Sequence, residues 1–174
     1  MDEVMILETK RMTLHRLKTE DSPFILELVN DPSFIENIGD RGVRTLADAG
    51  GYIAKVLESY QRNGHGLYRV ELKDTKQSIG ICGLVKRDTL EAADVGFAFL
   101  PGFWLKGYAV ESALAVLDYA RDQLGMNRIL GITSPKNIGS IRVLEKIGLK
   151  FEGLVKLAGD DKETKLFSVN FDSV

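Results

Sequence analysis

Cysteine is nearly absent from this 174-residue chain: Cys82 is the only one, which excludes a disulfide within the chain. A single thiol is also typical of a reducing compartment. An excess of positive charge is lacking as well, since the formal net charge is −2, and this argues against nonspecific binding to nucleic acid. At the N-terminus, only residues 4–7 form an apolar run, which is too short for a signal peptide or a membrane span. We therefore expect a cytoplasmic protein with neither nucleic acid nor membrane as a partner.

Metal-ligand patterns are missing too. The two histidines, His15 and His65, do not stand at the spacing from cysteines or carboxylates that metal sites use, so we predict no metal. Repeats, low-complexity stretches and long polar linkers are also absent from the sequence. With 44% hydrophobic and 28% charged residues, the composition is that of a globular protein. We therefore expect one domain over residues 1–174, long enough to bury a core.

The hydrophobic patterns that are present predict a mixture of strands and helices. Strands are predicted over residues 7–17, 67–72, 78–85, 94–100, 128–133, 151–157 and 164–171. Helix-start signals occur at residues 19–23, at Thr45 with Asp48 as a capping box, near Ala109 and at Asn137. Gly50 and Gly51 should weaken the first turns of the second helix. The order of elements predicts a mixed α/β fold rather than a doubly wound repeat.

The most informative segment is 94–109, which predicts a buried strand, a tight loop and the start of a long helix. Glycine at a helix start lets unpaired backbone N–H groups approach a ligand, and the helix dipole favours a phosphate there. Gly102 and Gly107 have the glycine spacing of a Walker A loop, but Tyr108 and Ala109 follow where Lys and Ser/Thr are needed. The Gly-x-Gly-x-x-Gly fingerprint of dinucleotide-binding proteins is also absent. A nucleotide-phosphate protein is therefore disfavoured.

Two segments resemble the signatures of the GNAT N-acetyltransferases. Trp-Leu-Lys-Gly-Tyr-Ala at 104–109 is similar to the pyrophosphate loop of that family, and Trp at its first position is similar to the RimJ/RimL branch, which acetylates ribosomal proteins. The segment 137–149, Asn-Ile-Gly-Ser-Ile-Arg-Val-Leu-Glu-Lys-Ile-Gly-Leu, resembles the second signature. The predicted order of strands and helices also matches the family across essentially the whole chain.

This resemblance implies a GNAT fold, with a mixed sheet of about six to seven strands and about four helices. Its central parallel strands, here 94–100 and 128–133, would splay apart to hold acetyl-CoA as co-substrate. The pantetheine arm would bond to backbone at Phe97, Ala98 and Phe99. The pyrophosphate would meet backbone N–H groups of Leu105, Lys106, Gly107, Tyr108, Ala109 and Val110, with added charge from Lys106. The Asn137 side chain would contact the pantetheine or only cap its helix.

The resemblance also implies direct attack by an amine in a ternary complex, without an enzyme nucleophile. Cys82 is accordingly expected in the core. The family commonly carries a Tyr as the acid, but Leu144 stands at that position, so we assign the role of meeting the thiolate to Ser140. Asp94 is the candidate base, acting through a water, with Glu71 as the alternative. A backbone N–H near Phe97 would stabilise the oxyanion.

The acceptor is expected to be a primary amine, on a protein N-terminus, an amino acid, a polyamine or an antibiotic. Specificity is expected in the segments 31–44 and 159–164. Their acids would suit a cationic acceptor or simply line solvated loops: Glu36, Asp40, Asp160 and Asp161. The alternative function is a CoA-binding module without catalysis, such as a sensor or assembly partner. The resemblance is compatible with a homodimer, for which the sequence shows no interface.

Overall fold

The fold consists of one mixed sheet with helices packed against it, in a computed structural model that describes residues 3–157 and 159–171. The strands are β1 Met5–Glu8, β2 Met12–Arg16, β3 Leu67–Leu72, β4 Ser78–Val85, β5 Asp94–Phe99, β6 Arg128–Thr133, β7 Lys150–Lys156 and β8 Glu163–Asn170. The α-helices are α1 Ser22–Asn30, α2 Pro32–Asn37, α3 Leu46–Asn63, α4 Tyr108–Asp122 and α5 Ile138–Lys146. Within the described ranges, no helix is both long and apolar enough to cross a membrane.

The strands lie in the order β1-β2-β3-β4-β5-β6-β8-β7. Only β5 and β6 are parallel neighbours, and every other pair is antiparallel. The mixed α/β class is thereby confirmed, and this sheet has eight strands where about six to seven were predicted. The extra strand arises near the N-terminus and the extra helix is α2.

The single strand predicted over 7–17 was wrong, because the chain reverses within it. Thr9 donates its backbone N–H to the Met12 carbonyl at 2.9 Å, and the resulting turn joins β1 to β2 as an antiparallel pair. The short α2 follows α1 directly, since the Asp31 side chain accepts from the Ser33 N–H at 2.9 Å and caps the new helix. Residues 32–37 are therefore helical rather than part of a loop.

The capping box that starts α3 is confirmed in both directions. Thr45 Oγ1 accepts from the Asp48 N–H at 3.1 Å, and Asp48 Oδ2 accepts from the Thr45 N–H at 3.1 Å. The weakening expected from Gly50 and Gly51 does not interrupt the helix, which runs unbroken to Asn63. Ala49 and Ile53 are buried on either side of the glycines, so tertiary packing outweighs their low helix propensity.

Helix α4 packs against β4 and β5, and this packing places its N-terminus at the carboxyl end of β5. Its buried face consists of Ser112, Ala113, Val116, Leu117 and Ala120. Cys82 on β4 is fully buried, as expected for a core residue, and burial raises the pKa of its thiol to about 12. A thiol held protonated in the core cannot act as a nucleophile near neutral pH.

Candidate active site

The central feature of the site is a gap between β5 and β6. These parallel strands pair only at Asp94 and Leu130, and the Leu130 N–H donates to the Ala93 carbonyl at 2.9 Å. Beyond this point no further pairing joins the two strands in the part of the chain that the structure describes. The strands therefore diverge toward their carboxyl ends and leave a V-shaped opening.

The backbone of β5 presents unpaired groups to this opening. The Leu100 N–H donates to the Ile79 carbonyl of β4, and hydrogen bonding alternates along an antiparallel ladder. The backbone of Ala98 therefore points to β4, whereas that of Phe97 and Phe99 points to the gap. The Phe99 carbonyl is already taken, since it accepts from the Trp104 indole N–H at 2.8 Å. Phe97 is left with both backbone groups, and Phe99 with its N–H, to pair with a ligand.

The loop after β5 opens directly onto the start of α4. Leu105 has φ +61°, a left-handed conformation unusual for a residue with a side chain, and Gly107 has φ +83°. The first bond of the helix runs from the Glu111 N–H to the Gly107 carbonyl at 3.0 Å. The N–H groups of Tyr108, Ala109 and Val110 consequently have no acceptor within the helix. Residues 105–110, all predicted as phosphate contacts, thus include a helix start whose free N–H groups suit a diphosphate.

Arg11 holds this loop from the β1–β2 turn, a contact that the sequence analysis missed. Its Nη1 donates to the Lys106 carbonyl at 3.0 Å, and its Nε donates to Glu111 Oε1 at 2.8 Å. The guanidinium also lies 4.3 Å from the centroid of the Tyr108 ring, within cation–π distance. No local pattern could have revealed the contact, because about a hundred residues separate Arg11 from its partners.

Glu111 is the acidic partner in this arrangement. Its Oε2 accepts from Thr9 Oγ1 at 2.6 Å and from the Arg11 N–H at 3.0 Å. Burial alone would raise the pKa of Glu111, but the hydrogen bonds from Thr9 and Arg11 outweigh it and lower that pKa below its usual value. The carboxylate is therefore charged and turned toward Arg11. Lys106, in contrast, is exposed, with its Nζ 5.9 Å from the Phe103 ring centroid.

The second sequence motif lies on α5. Asn137 Oδ1 accepts from the Ser140 N–H at 3.1 Å and caps the helix, which leaves its amide N–H groups without a partner among the described residues. The Ser140 hydroxyl is half-buried and likewise has no hydrogen bond within the described ranges. Leu144 is fully buried against Gly131 of β6, so the position where relatives carry a Tyr belongs to the core here.

These features agree with the comparisons with known proteins. A sequence profile of the acetyltransferase (GNAT) domain matches residues 11–150, which include both motifs. The chain belongs to the GNAT acetyltransferase family. It is 30% identical over 152 residues to the uncharacterized N-acetyltransferase YnaD of Bacillus subtilis, covering 87% of this chain and 86% of that protein. This membership makes the chain an acetyl-CoA-dependent acyltransferase.

Solved GNAT structures share the fold. The crystal structure of an acetyltransferase from Agrobacterium tumefaciens superposes with a TM-score of 0.82 at 26% identity, covering 98% of this chain and 95% of that one. RimL, a ribosomal alpha-N-protein acetyltransferase solved with coenzyme A, superposes with a TM-score of 0.83 at 17% identity, covering 97% and 98%. The suspected likeness to the RimJ/RimL branch is thereby supported at the level of the fold.

In this GNAT acetyltransferase the two candidate bases lie in different places. Asp94 is 2% exposed at the apex of the V, and its Oδ2 accepts from Arg87 Nε at 2.9 Å. Burial raises the pKa of Asp94, and Arg87 opposes that rise. Glu71 lies on β3, separated from the gap by β4, and accepts from Arg69 Nη1 at 2.8 Å. Of the two candidates, only Asp94 borders the opening.

A buried polar cluster around Arg69 lies apart from the gap. Ligand atoms of Glu3, His15 and Glu71 come within 4.8 Å of one another, as in metal sites. Arg69, however, donates to both Glu3 and Glu71 and supplies positive charge between them. Its Nε also lies 3.3 Å from Asp21 Oδ1. The geometry is that of an ion-pair network centred on a guanidinium.

The segments expected to contact the acceptor are ordered by their own hydrogen bonds. Asp40 accepts from Arg44 Nη2 at 2.6 Å, and Asp160 accepts from the Lys162 N–H at 2.9 Å. Two of the four acids proposed for a cationic acceptor are therefore engaged within their own segments. Glu36 and Asp161 make no such contact in the described part of the chain.

Proposed function

We propose that residues 1–174 form one acetyltransferase domain that moves an acetyl group from acetyl-CoA to a primary amine. The observation that carries this proposal is the presence of unpaired backbone N–H groups at two places along one opening. Those of Tyr108, Ala109 and Val110 lie at the start of α4, and that of Phe97 lies on β5 at the V-shaped gap. A diphosphate at one end and an extended arm along β5 fit the hydrogen-bonding capacity of this opening.

The amine attacks directly in a ternary complex, after its ammonium form has lost a proton. Its nitrogen bonds to the acetyl carbon to give a tetrahedral oxyanion. This intermediate then collapses as the carbon–sulfur bond breaks, and the second proton of the nitrogen passes to the thiolate. Asp94 takes the ammonium proton through a water, and the raised pKa that burial gives it is suited to a base. The Phe97 N–H stabilises the oxyanion, and the unpartnered Ser140 hydroxyl meets the departing thiolate. Fully buried Cys82 is unsuited to form an acetyl-enzyme.

The acceptor is a protein N-terminus or a small amine. A protein N-terminus is supported by the match to RimL, whose fold spans almost all of this chain. Free thiol should be measured during steady-state turnover with a panel of small amines and peptides, and the products identified by mass spectrometry. Thiol release that rises with one amine class, together with an enzyme of unchanged intact mass, would support direct attack. A stable mass increase of one acetyl group on the enzyme would contradict it.

A CoA-binding module without catalysis is the second candidate. It is favoured by Leu144, which buries an apolar side chain where many relatives place a tyrosine, and by the salt bridge that occupies Asp94. If acetyl-CoA binds and no amine or peptide raises thiol release above hydrolysis, this alternative replaces the enzyme.

A further inference from the structure

Arg11 stands out because four separate features of the diphosphate loop converge on one side chain. It donates to the Lys106 carbonyl, it donates to Glu111, and its guanidinium lies over the Tyr108 ring. A Cβ at Gly107 would lie 3.2 Å from its Nη2. The contacts with Lys106 and Tyr108 restrain the turn from Leu105 to Tyr108, where the backbone takes two left-handed conformations in three residues.

The carboxylate of Glu111 is the reason why a positive charge is needed at the start of α4. It is the fourth residue of α4, and a carboxylate in the first turn competes with a phosphate for the positive end of the helix dipole. Its own charge would also repel the phosphate. Arg11 draws this carboxylate away toward the β1–β2 turn, where Thr9 also donates to it.

The contacts of Arg11 are too exposed for stabilisation of the fold to be their main role. The Arg11 side chain is 39% exposed, and exposed ion pairs add little to the free energy of unfolding. We therefore propose, building on the function proposed above, that Arg11 is a positioning residue for the diphosphate of acetyl-CoA. It holds the Lys106–Gly107 corner open and neutralises Glu111, so that the N–H groups of α4 face an anion without competition.

The test compares Arg11→Gln with the wild type for two ligands. One is acetyl-CoA, and the other is S-acetylpantetheine, which lacks the diphosphate. Dissociation constants are measured by calorimetry for the first and by ligand-observed NMR for the second. We expect the dissociation constant of acetyl-CoA to rise about tenfold, and that of S-acetylpantetheine to stay within about twofold. An unchanged constant for acetyl-CoA, or an equal loss for both ligands, would overturn the role.

Two further variants distinguish the effect of the Arg11 charge on acetyl-CoA binding from a disturbance of the fold. Arg11→Gln with Glu111→Gln should recover most of the lost affinity, because the uncompensated carboxylate is removed; no recovery would refute the neutralisation of Glu111. Arg11→Lys keeps the charge and should bind acetyl-CoA with intermediate affinity. If the wild type itself fails to bind acetyl-CoA, the proposed function falls, and the role of Arg11 falls with it.

The matched control is Arg121→Gln on α4, the helix that carries Glu111. Arg121 pairs with Asp118 and Asp122 on the far end of α4, so its loss removes a similar exposed ion pair away from the loop. We expect no change in either dissociation constant for this variant. A loss of acetyl-CoA affinity equal to that of Arg11→Gln would show that the loss of any positive charge on or beside α4 suffices, and would overturn the proposal.

Discussion

Gly131 offers a substitution whose effect can be worked out from distances. A Cβ at this position on β6 would lie 2.7 Å from Leu144 Cδ2 and 2.9 Å from Leu149 Cδ2. Carbon atoms in contact normally lie about 3.5–4.0 Å apart, so Gly131→Ala requires a shift of about 1 Å. Leu144 is fully buried and Leu149 is 2% exposed, so neither side chain can turn toward solvent.

We expect Gly131→Ala to lower the free energy of unfolding by about 1–3 kcal/mol, the usual cost of overpacking a core. For a domain of this size, each kcal/mol lowers the melting temperature by about 2–4 °C. Urea unfolding followed by circular dichroism measures the change. The same substitution at Gly51 is the control, because Gly51 is exposed on α3 with nothing within 4 Å of an added Cβ. Gly51→Ala should stabilise the protein by about 1 kcal/mol.

A double-mutant cycle identifies the cause. Leu144→Val removes part of the side chain that a Cβ on residue 131 would strike. Because the two changes compensate, the double variant should be more stable than the sum of the single effects by about 0.5 kcal/mol or more. Additive effects of Gly131→Ala and Leu144→Val on the free energy of unfolding would refute the packing argument. It would also be refuted if Gly131→Ala and Gly51→Ala changed the stability in the same direction.

Three other outcomes follow from the site and the core. Asp94→Asn should lower kcat about a hundredfold and Ser140→Ala about tenfold, while the dissociation constant of acetyl-CoA stays unchanged in both. Steady-state kinetics with an identified amine measure kcat. Full activity of either variant would show that its residue does not have the proposed role. The folded-state pKa of Glu111 lies below its ordinary value of 4.5, so its stabilising contribution is present above that pH and is lost as pH falls through the folded pKa. The stability difference between wild type and Glu111→Gln should therefore shrink in acid titrations, and a constant difference from pH 7 to acid would contradict this. Cys82 should resist iodoacetamide in the native protein and react in urea, as mass spectrometry would show, because its thiol is fully buried; rapid native labelling would disprove that burial.

Local features of the site could be predicted from the sequence, because they depend on neighbouring residues. The Thr45–Asp48 capping box, the Asn137 cap and the glycine that starts α4 each involve positions at most three apart. The boundaries of β6 were predicted without error for the same reason.

Contacts between distant segments could not be predicted. Nothing near Arg11 marks it as a partner of Glu111, because the contact depends on how the β1–β2 turn meets α4 in the folded protein. Only the fold shows that the indole N–H of Trp104 donates to the Phe99 carbonyl. The extra strand was missed because the turn at Thr9 contains no glycine, proline or asparagine to mark where the chain reverses.

The divergence of β5 from β6 also divides the sheet into two parts that are joined at one place. One part of the sheet comprises β1 to β5, and the other comprises β6, β8 and β7. In the described residues, the pair Asp94–Leu130 is the only strand pairing between these two parts. A sheet divided in this way can bend at this pair without breaking the hydrogen bonds between any other strands. A ligand that pairs with β5 in the gap would therefore take the place of the missing strand pairing between the two parts of the sheet.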